Sequence, residues 1–279
     1  MGRADRRMIL KQTMAEVSRG GMDLRASSSD QSWAVIAATR ILIDILRGHG
    51  PMRASRAAEK AHEFFENSLK RSAKGIKIEC AKGCAFCCHV AVSALAPEVF
   101  HIANTMRAQR GSDFEARRAA IHAGARSTRG LSDFDRARRK LPCVLLENNV
   151  CSVYSARPGP CRGMTSISVK ACERSFSGAG VPIPTPVVWD TLRNAHLQAL
   201  MAALTAVDLS SESYDLNEAI LVALDNPDAE ARWLKGEDVF AGVPRLHLGI
   251  ANPAIIENNR KVMAQLIAGA LGKDPPGEG

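Results

Sequence analysis

Eight cysteines dominate the chemistry that this sequence can do, and they fall in two tight groups. The first is Cys80-Ala-Lys-Gly-Cys84-Ala-Phe-Cys87-Cys88, a C-x3-C-x2-C-C run. A C-x2-C unit turns two thiolates toward one ion, and Gly83 supplies the backbone freedom that such a turn needs. The adjacent pair Cys87 and Cys88 can serve one centre only where the backbone bends sharply; otherwise one of them faces a second centre or the core. The second group is Cys143, Cys151, Cys161 and Cys172, spaced C-x7-C-x9-C-x10-C. Pro158 and Pro160 stiffen the approach to Cys161. Arg157 and Arg162 bring positive charge beside thiolates, which lowers thiol pKa and offsets the charge of a multi-thiolate centre. Tyr154 is a candidate to hydrogen-bond a ligating sulfur, or to pack beside Val153.

Clusters of this kind read as metal ligands. A framework of disulfides spreads its bridges, and a chain of 279 residues with 46% hydrophobic side chains does not need them to hold a core. Zinc takes four thiolate or imidazole ligands in a closed tetrahedron, and two such sites would use all eight cysteines. Iron–sulfur clusters also take four thiolates and commonly include one C-x2-C or C-x3-C run. Zinc ribbons show two C-x2-C knuckles, whereas this chain has one knuckle completed by widely spaced cysteines. That favours iron–sulfur ligation over zinc, and a single centre is expected to use Cys84, Cys87 or Cys88, Cys151 and Cys161. His89, next to Cys88, is a weaker candidate ligand. His62, His101, His122, His196 and His247 read as surface or core histidines.

These spacings, with Cys151-x-x-Tyr154-x-x-Arg157-Pro158-x-x-Cys161-Arg162 and the trailing Cys172, resemble the YkgJ-type cysteine-cluster family of zinc- or iron-chelating domains. The resemblance covers roughly residues 78–175. It implies an iron–sulfur or zinc protein. A related cluster in flagellin lysine N-methylases keeps a metal-dependent modification enzyme as an alternative, and a structural zinc-binding interaction protein is the third reading. No phosphate-binding glycine loop, nucleophile elbow or H-E-x-x-H accompanies the cysteines.

The elements that must position the thiols are mostly helices. Residues 32–47 read as a buried helix stopped by Gly48 and Pro51, and residues 54–73 as an amphipathic one with Ala57, Ala61, Phe64, Phe65 and Leu69 on one stripe. Pro97 opens another, with Glu98 placed for the helix dipole. Ser112 with Glu115 marks a capping box, and Ser132 starts a short basic helix. Helices are expected at 188–207, at 215–224, from Asn226-Pro227 to about Leu234, and from Asn252-Pro253 to Gly272. Lys77-Ile78 and Val181–Ile183 are at most short extended pieces. The expected fold is mainly α: a helical domain with two cysteine-rich loops joined at a metal centre and very little strand. Its parts are a flexible segment at 1–30, the metal-binding domain at 31–187, and a C-terminal helical region at 188–279 packed on it. Trp33, Trp189 and Trp233 read as packing anchors, and the acidic run Asp225, Asp228, Glu230, Glu237, Asp238 as a solvated face.

Net charge is +8 and unevenly placed: residues 1–140 carry 26 Lys+Arg against 14 Asp+Glu, and the remainder 11 against 15. The basic half lacks a recognition motif, so nucleic-acid binding is not expected; a protein or redox partner is. No stretch has the length of a signal peptide core or a membrane span, so a cytoplasmic location with reduced thiols is expected.

Overall fold

A computed structural model describes residues 2–109, 114–246 and 253–273. It is mainly α. The helices are α1 (Arg3–Gly20), α2 (Ser28–Arg47), α3 (Arg53–Ser72), α4 (Ala96–Ala108), α5 (Phe114–Thr128), α6 (Asp133–Arg138), α7 (Gly159–Gly163), α8 (Val169–Phe176), α9 (Val187–Thr205), α10 (Leu216–Asp225), α11 (Ala229–Trp233) and α12 (Pro253–Ala270). The strands among the described residues are two or three residues long: β1 (Ser93–Leu95) pairs antiparallel with β4 (Ser213–Asp215), and β2 (Leu146–Glu147) with β3 (Val150–Cys151).

α2, α3 and α9 form the centre. Their small and aliphatic residues recur every three or four positions, so each helix presents one apolar face. Ala57, Ala61 and Phe65 of α3, Ala38 and Leu42 of α2, and Leu192, Ala199 and Leu200 of α9 join one continuous core. α4 and α10 extend that core through Val99, Ile102, Met106 and Ile220. Trp189 and Trp233 are buried in it and Trp33 packs at its edge.

Three features differ from the sequence reading. Residues 3–20, inside the segment expected to be flexible, form a helix whose Leu10 and Val17 are buried. The cause is a thin stripe, Leu10, Met14 and Val17, at helical spacing in an otherwise polar run. The chain after it is held where the Met22 amide donates to Ser68 Oγ at 2.7 Å. The short strands lie at 93–95, 146–151 and 213–215 instead of at Lys77-Ile78 or Val181–Ile183. Glu230, read as part of a solvated face, is buried and accepts from the Ser55 amide at 2.7 Å and from Asn104 Nδ2 at 2.9 Å. Ser112, His247 and Asn252 lie outside the described residues.

The cysteine segments are not a separate module. β1 lies between the first cysteine group and α4, and its partner β4 leads into α10. The Leu216 amide donates to the Val92 carbonyl at 2.9 Å. Asp215, fully buried, caps α10 and pairs with buried Arg136 of α6 at 2.5 Å. The C-terminal helices therefore fix both ends of the helical insertion that separates Cys88 from Cys143.

Candidate metal centre

Gly83 takes φ +90°, a conformation costly for residues with a Cβ, and the Cys84 amide closes the turn onto the Ala81 carbonyl. The following 3-10 turn, Phe86–His89, supplies the sharp bend that adjacent cysteines need. It brings the Cys88 thiol within hydrogen-bonding reach of Cys87. The second group is tied to the first by backbone: the Cys143 amide donates to the Cys88 carbonyl at 2.7 Å. Cys151 is placed by the β2–β3 hairpin, whose turn residues Asn148 and Asn149 both take positive φ, the conformation of a type I′ turn. Cys161 rides on α7, after Pro158 and with Pro160 in its first turn. Cys80 is stitched to the 166–169 segment: the Ser166 amide donates to Cys80 Sγ at 3.2 Å, and Glu79 accepts from the Val169 amide at 2.6 Å. That segment caps α8, which carries Cys172.

All eight cysteines are free thiols, and all except Cys172 line one cavity of about 730 Å³. Its remaining wall is largely apolar, with Val92, Leu145, Leu216 and Leu246 among the lining side chains. Within it the thiols fall into two neighbourhoods. Cys87, Cys143 and Cys151 each act electrostatically on Cys161, whereas Cys80, Cys87 and Cys172 act on Cys84. Cys143 thus joins Cys87 and Cys151 beside Cys161. Among the described residues, no three cysteine sulfurs lie within 4.8 Å of one another. In a closed zinc tetrahedron with Zn–S of about 2.3 Å, neighbouring sulfurs stand about 3.8 Å apart.

Burial pushes the Cys143 thiol up to about 12 and raises Cys84, Cys151 and Cys161; the Cys88 contact, then burial, raises Cys87. Each is a neutral thiol at pH 7, in a site that needs a cation before it can hold several thiolates. Arg157 works the other way: it lines the cavity and lowers Cys87, Cys151 and Cys161.

Arg157 also stacks on Tyr154, its guanidinium 3.9 Å from the ring centroid. Tyr154 is largely exposed at the cavity rim, so its ring orients the arginine. Arg162 does not face the thiols. It is buried and pairs with Glu66 at 2.6 Å, also donating to the Ser155 carbonyl. His89 lies off the cavity, its Nδ1 3.0 Å from the Ala85 carbonyl and its ring against Phe176. Sequence reasoning missed Glu98. Instead of serving only the helix dipole, its buried carboxylate accepts from the Leu95 amide at 3.0 Å and from the Gly159 amide at 2.6 Å, anchoring the loop that carries Cys161.

A helical scaffold that brings seven cysteine thiols to one cavity suits metal chelation. Residues 79–176 match the family model described as "CxxCxxCC: Putative zinc- or iron-chelating domain", so this third of the chain carries that family's domain. Comparison with curated proteins and with solved structures gives no match. Among the described residues no helix is long and apolar enough to cross a membrane.

Proposed function

We propose that the cysteines hold an iron–sulfur cluster and that the protein exchanges electrons with a protein partner. The observation that carries this reading is the convergence of seven cysteines, from segments more than fifty residues apart, on one cavity. The sequence spacing, one C-x2-C knuckle completed by widely separated cysteines, supports iron–sulfur over zinc. Cys87, Cys143, Cys151 and Cys161 are the preferred ligands, with Cys80, Cys84, Cys88 and Cys172 available to a second centre. Arg157 offsets thiolate charge, and exposed Val90, Tyr154 and Met164 around the cavity give a partner an apolar rim. Protein purified without oxygen is expected to be brown and to contain iron and acid-labile sulfide. Cys161→Ala is expected to lose most of both. Colourless protein with stoichiometric zinc sinks the iron–sulfur assignment, and full retention in Cys161→Ala removes that residue from the ligand set.

One observation favours a second reading. The cavity is large and apolar enough to take an organic substrate beside the metal, as a metal-dependent modification enzyme would require. Saturable binding of a small apolar probe to the metal-loaded protein, competing with no protein partner, supports that reading over electron transfer.

A further inference from the structure

α3, α4 and α9 meet at three buried side chains that the thiol chemistry does not use: His62, Glu98 and His196. One ligand atom from each lies within 4.8 Å of the other two. His62 Nε2 is 3.4 Å from Glu98 Oε1, and His196 Nε2 is 3.8 Å from the same oxygen. Neither distance makes a good hydrogen bond: the first is at the outer edge and the second beyond it. Around an ion with bonds of about 2.1 Å, two tetrahedral ligands stand about 3.4 Å apart.

The far side of His196 is already fixed. His196 Nδ1 sits 2.7 Å from the Ala61 carbonyl, an acceptor, so Nδ1 carries the proton. A neutral ring then turns its Nε2 lone pair toward the Glu98 carboxylate. That nitrogen is buried and has no hydrogen-bond partner. Two acceptors facing each other in a dry interior repel, unless a cation stands between them. A proton on Nε2 is a poor substitute, because 3.8 Å is too long for it to reach Oε1. Glu98 Oε1 and Oε2 accept one amide each, from Gly159 and Leu95, which orients the carboxylate without neutralising it. The Arg162 guanidinium, which bears on His62, is committed to Glu66. Gly159 is shaped to this centre: a Cβ there would come within 3.0 Å of His196 Cδ2 and Nε2.

We propose that His62, Glu98 and His196 form a second metal site, separate from the thiols. It takes a first-row divalent cation, zinc or ferrous iron, through two imidazole nitrogens and one carboxylate oxygen. That donor set suits both ions. The ion ties together three core helices and, through Glu98 and the Gly159 amide, fixes the base of the loop that carries Cys161.

Cobalt(II) titration of the stripped, full-length chain under anaerobic conditions tests this. Bound cobalt is counted by equilibrium dialysis, and the sulfur-to-cobalt charge-transfer band reports the thiol sites separately. His62→Gln and His196→Gln are each expected to hold about one equivalent less cobalt than wild type, with the charge-transfer band unchanged. Equal cobalt in a variant that keeps its helical circular dichroism overturns the proposal. Should both variants unfold, proton NMR of the unmutated cobalt protein decides: a slowly exchanging, hyperfine-shifted imidazole N–H, from His196 Nδ1, is expected, and no such signal throughout the titration overturns it.

Discussion

Metal loading of the cysteine cavity should release about one proton per ligating thiol across the whole neutral range. The perturbation is pH, varied from 6 to 8 while cobalt(II) is titrated anaerobically into the stripped protein. Five thiols (Cys84, Cys87, Cys143, Cys151 and Cys161) are held above the ordinary value, by burial and, for Cys87, first by the Cys88 contact. A thiol at or above about 9 is ionised to about 1% or less at pH 7. Each Cys ligand therefore arrives protonated and must lose its proton. For Cys143, raised to about 12 from 9.0, forming the thiolate costs about 4 kcal/mol more than in an exposed cysteine, at about 1.36 kcal/mol per unit. A four-thiolate centre then releases about four protons, and log K for the metal rises by about four per pH unit. Proton release is read with an indicator dye in weak buffer, and affinity by competition with a chelator of known pH dependence. Release of one proton or none, with a flat affinity, would refute the reasoning: it would mean that the thiols are already ionised or that nitrogen and oxygen supply most ligands.

Other perturbations separate the parts of the scaffold. Removing the cation that favours thiolates, in Arg157→Gln, should weaken cobalt binding about tenfold with no loss of stability, measured by the same competition assay. Gly83→Val forces a branched residue to φ +90°, so the first cysteine turn should lose about 1–2 kcal/mol and metal affinity should fall in proportion. Asp215→Ala leaves buried Arg136 without a counterion and uncaps α10; urea unfolding should show a loss of about 3–5 kcal/mol. The metal-free protein should also weaken in alkali. Thiols raised in the folded state stabilise it below the unfolded value near 9, and that stability is lost as pH climbs toward 12, so the unfolding midpoint should fall steadily over this window. A midpoint that stays level from pH 9 to 11 would contradict the burial of Cys143.

Much of the scaffold was legible because it follows from periodicity. Helix α2 ends at Gly48, α3 carries its five-residue stripe inward, and Ser132 caps α6 by accepting the Asp135 amide. The cysteine grouping was equally plain, and so was the need for freedom at Gly83. What escaped was whatever depends on partners distant in sequence. The β2–β3 hairpin had a local signal, Asn148-Asn149, but strands of two residues carry no alternation to reinforce it. Arg162 sits beside Cys161 in sequence, yet helix α7 turns its side chain to Glu66, because adjacent residues on a helical turn diverge by about 100°. Glu230 looked solvated because its neighbours Asp228 and Glu237 are; Ser55 and Asn104, which satisfy it, lie more than a hundred residues upstream.

The same distance effect explains why the cysteine domain cannot be understood as a self-contained chelating loop. Cys88 and Cys143 flank an insertion whose helices gain their burial from α3 and α10, outside the cysteine region. The Cys143 amide on the Cys88 carbonyl closes that insertion, and the buried Arg136–Asp215 pair holds its last helix on β4. Closing a loop of that length in an unfolded chain is opposed by entropy, so a metal bound to both groups stabilises the fold as well as using it. The helices, however, assemble the cavity without help from the metal, since the core that positions α4, α7 and α10 is apolar and continuous. Metal should therefore add to stability without being required for it: the stripped protein is expected to keep its helical circular dichroism and to melt at a lower temperature than the loaded form. Loss of helix on stripping would show instead that the metal-bound thiols build the scaffold.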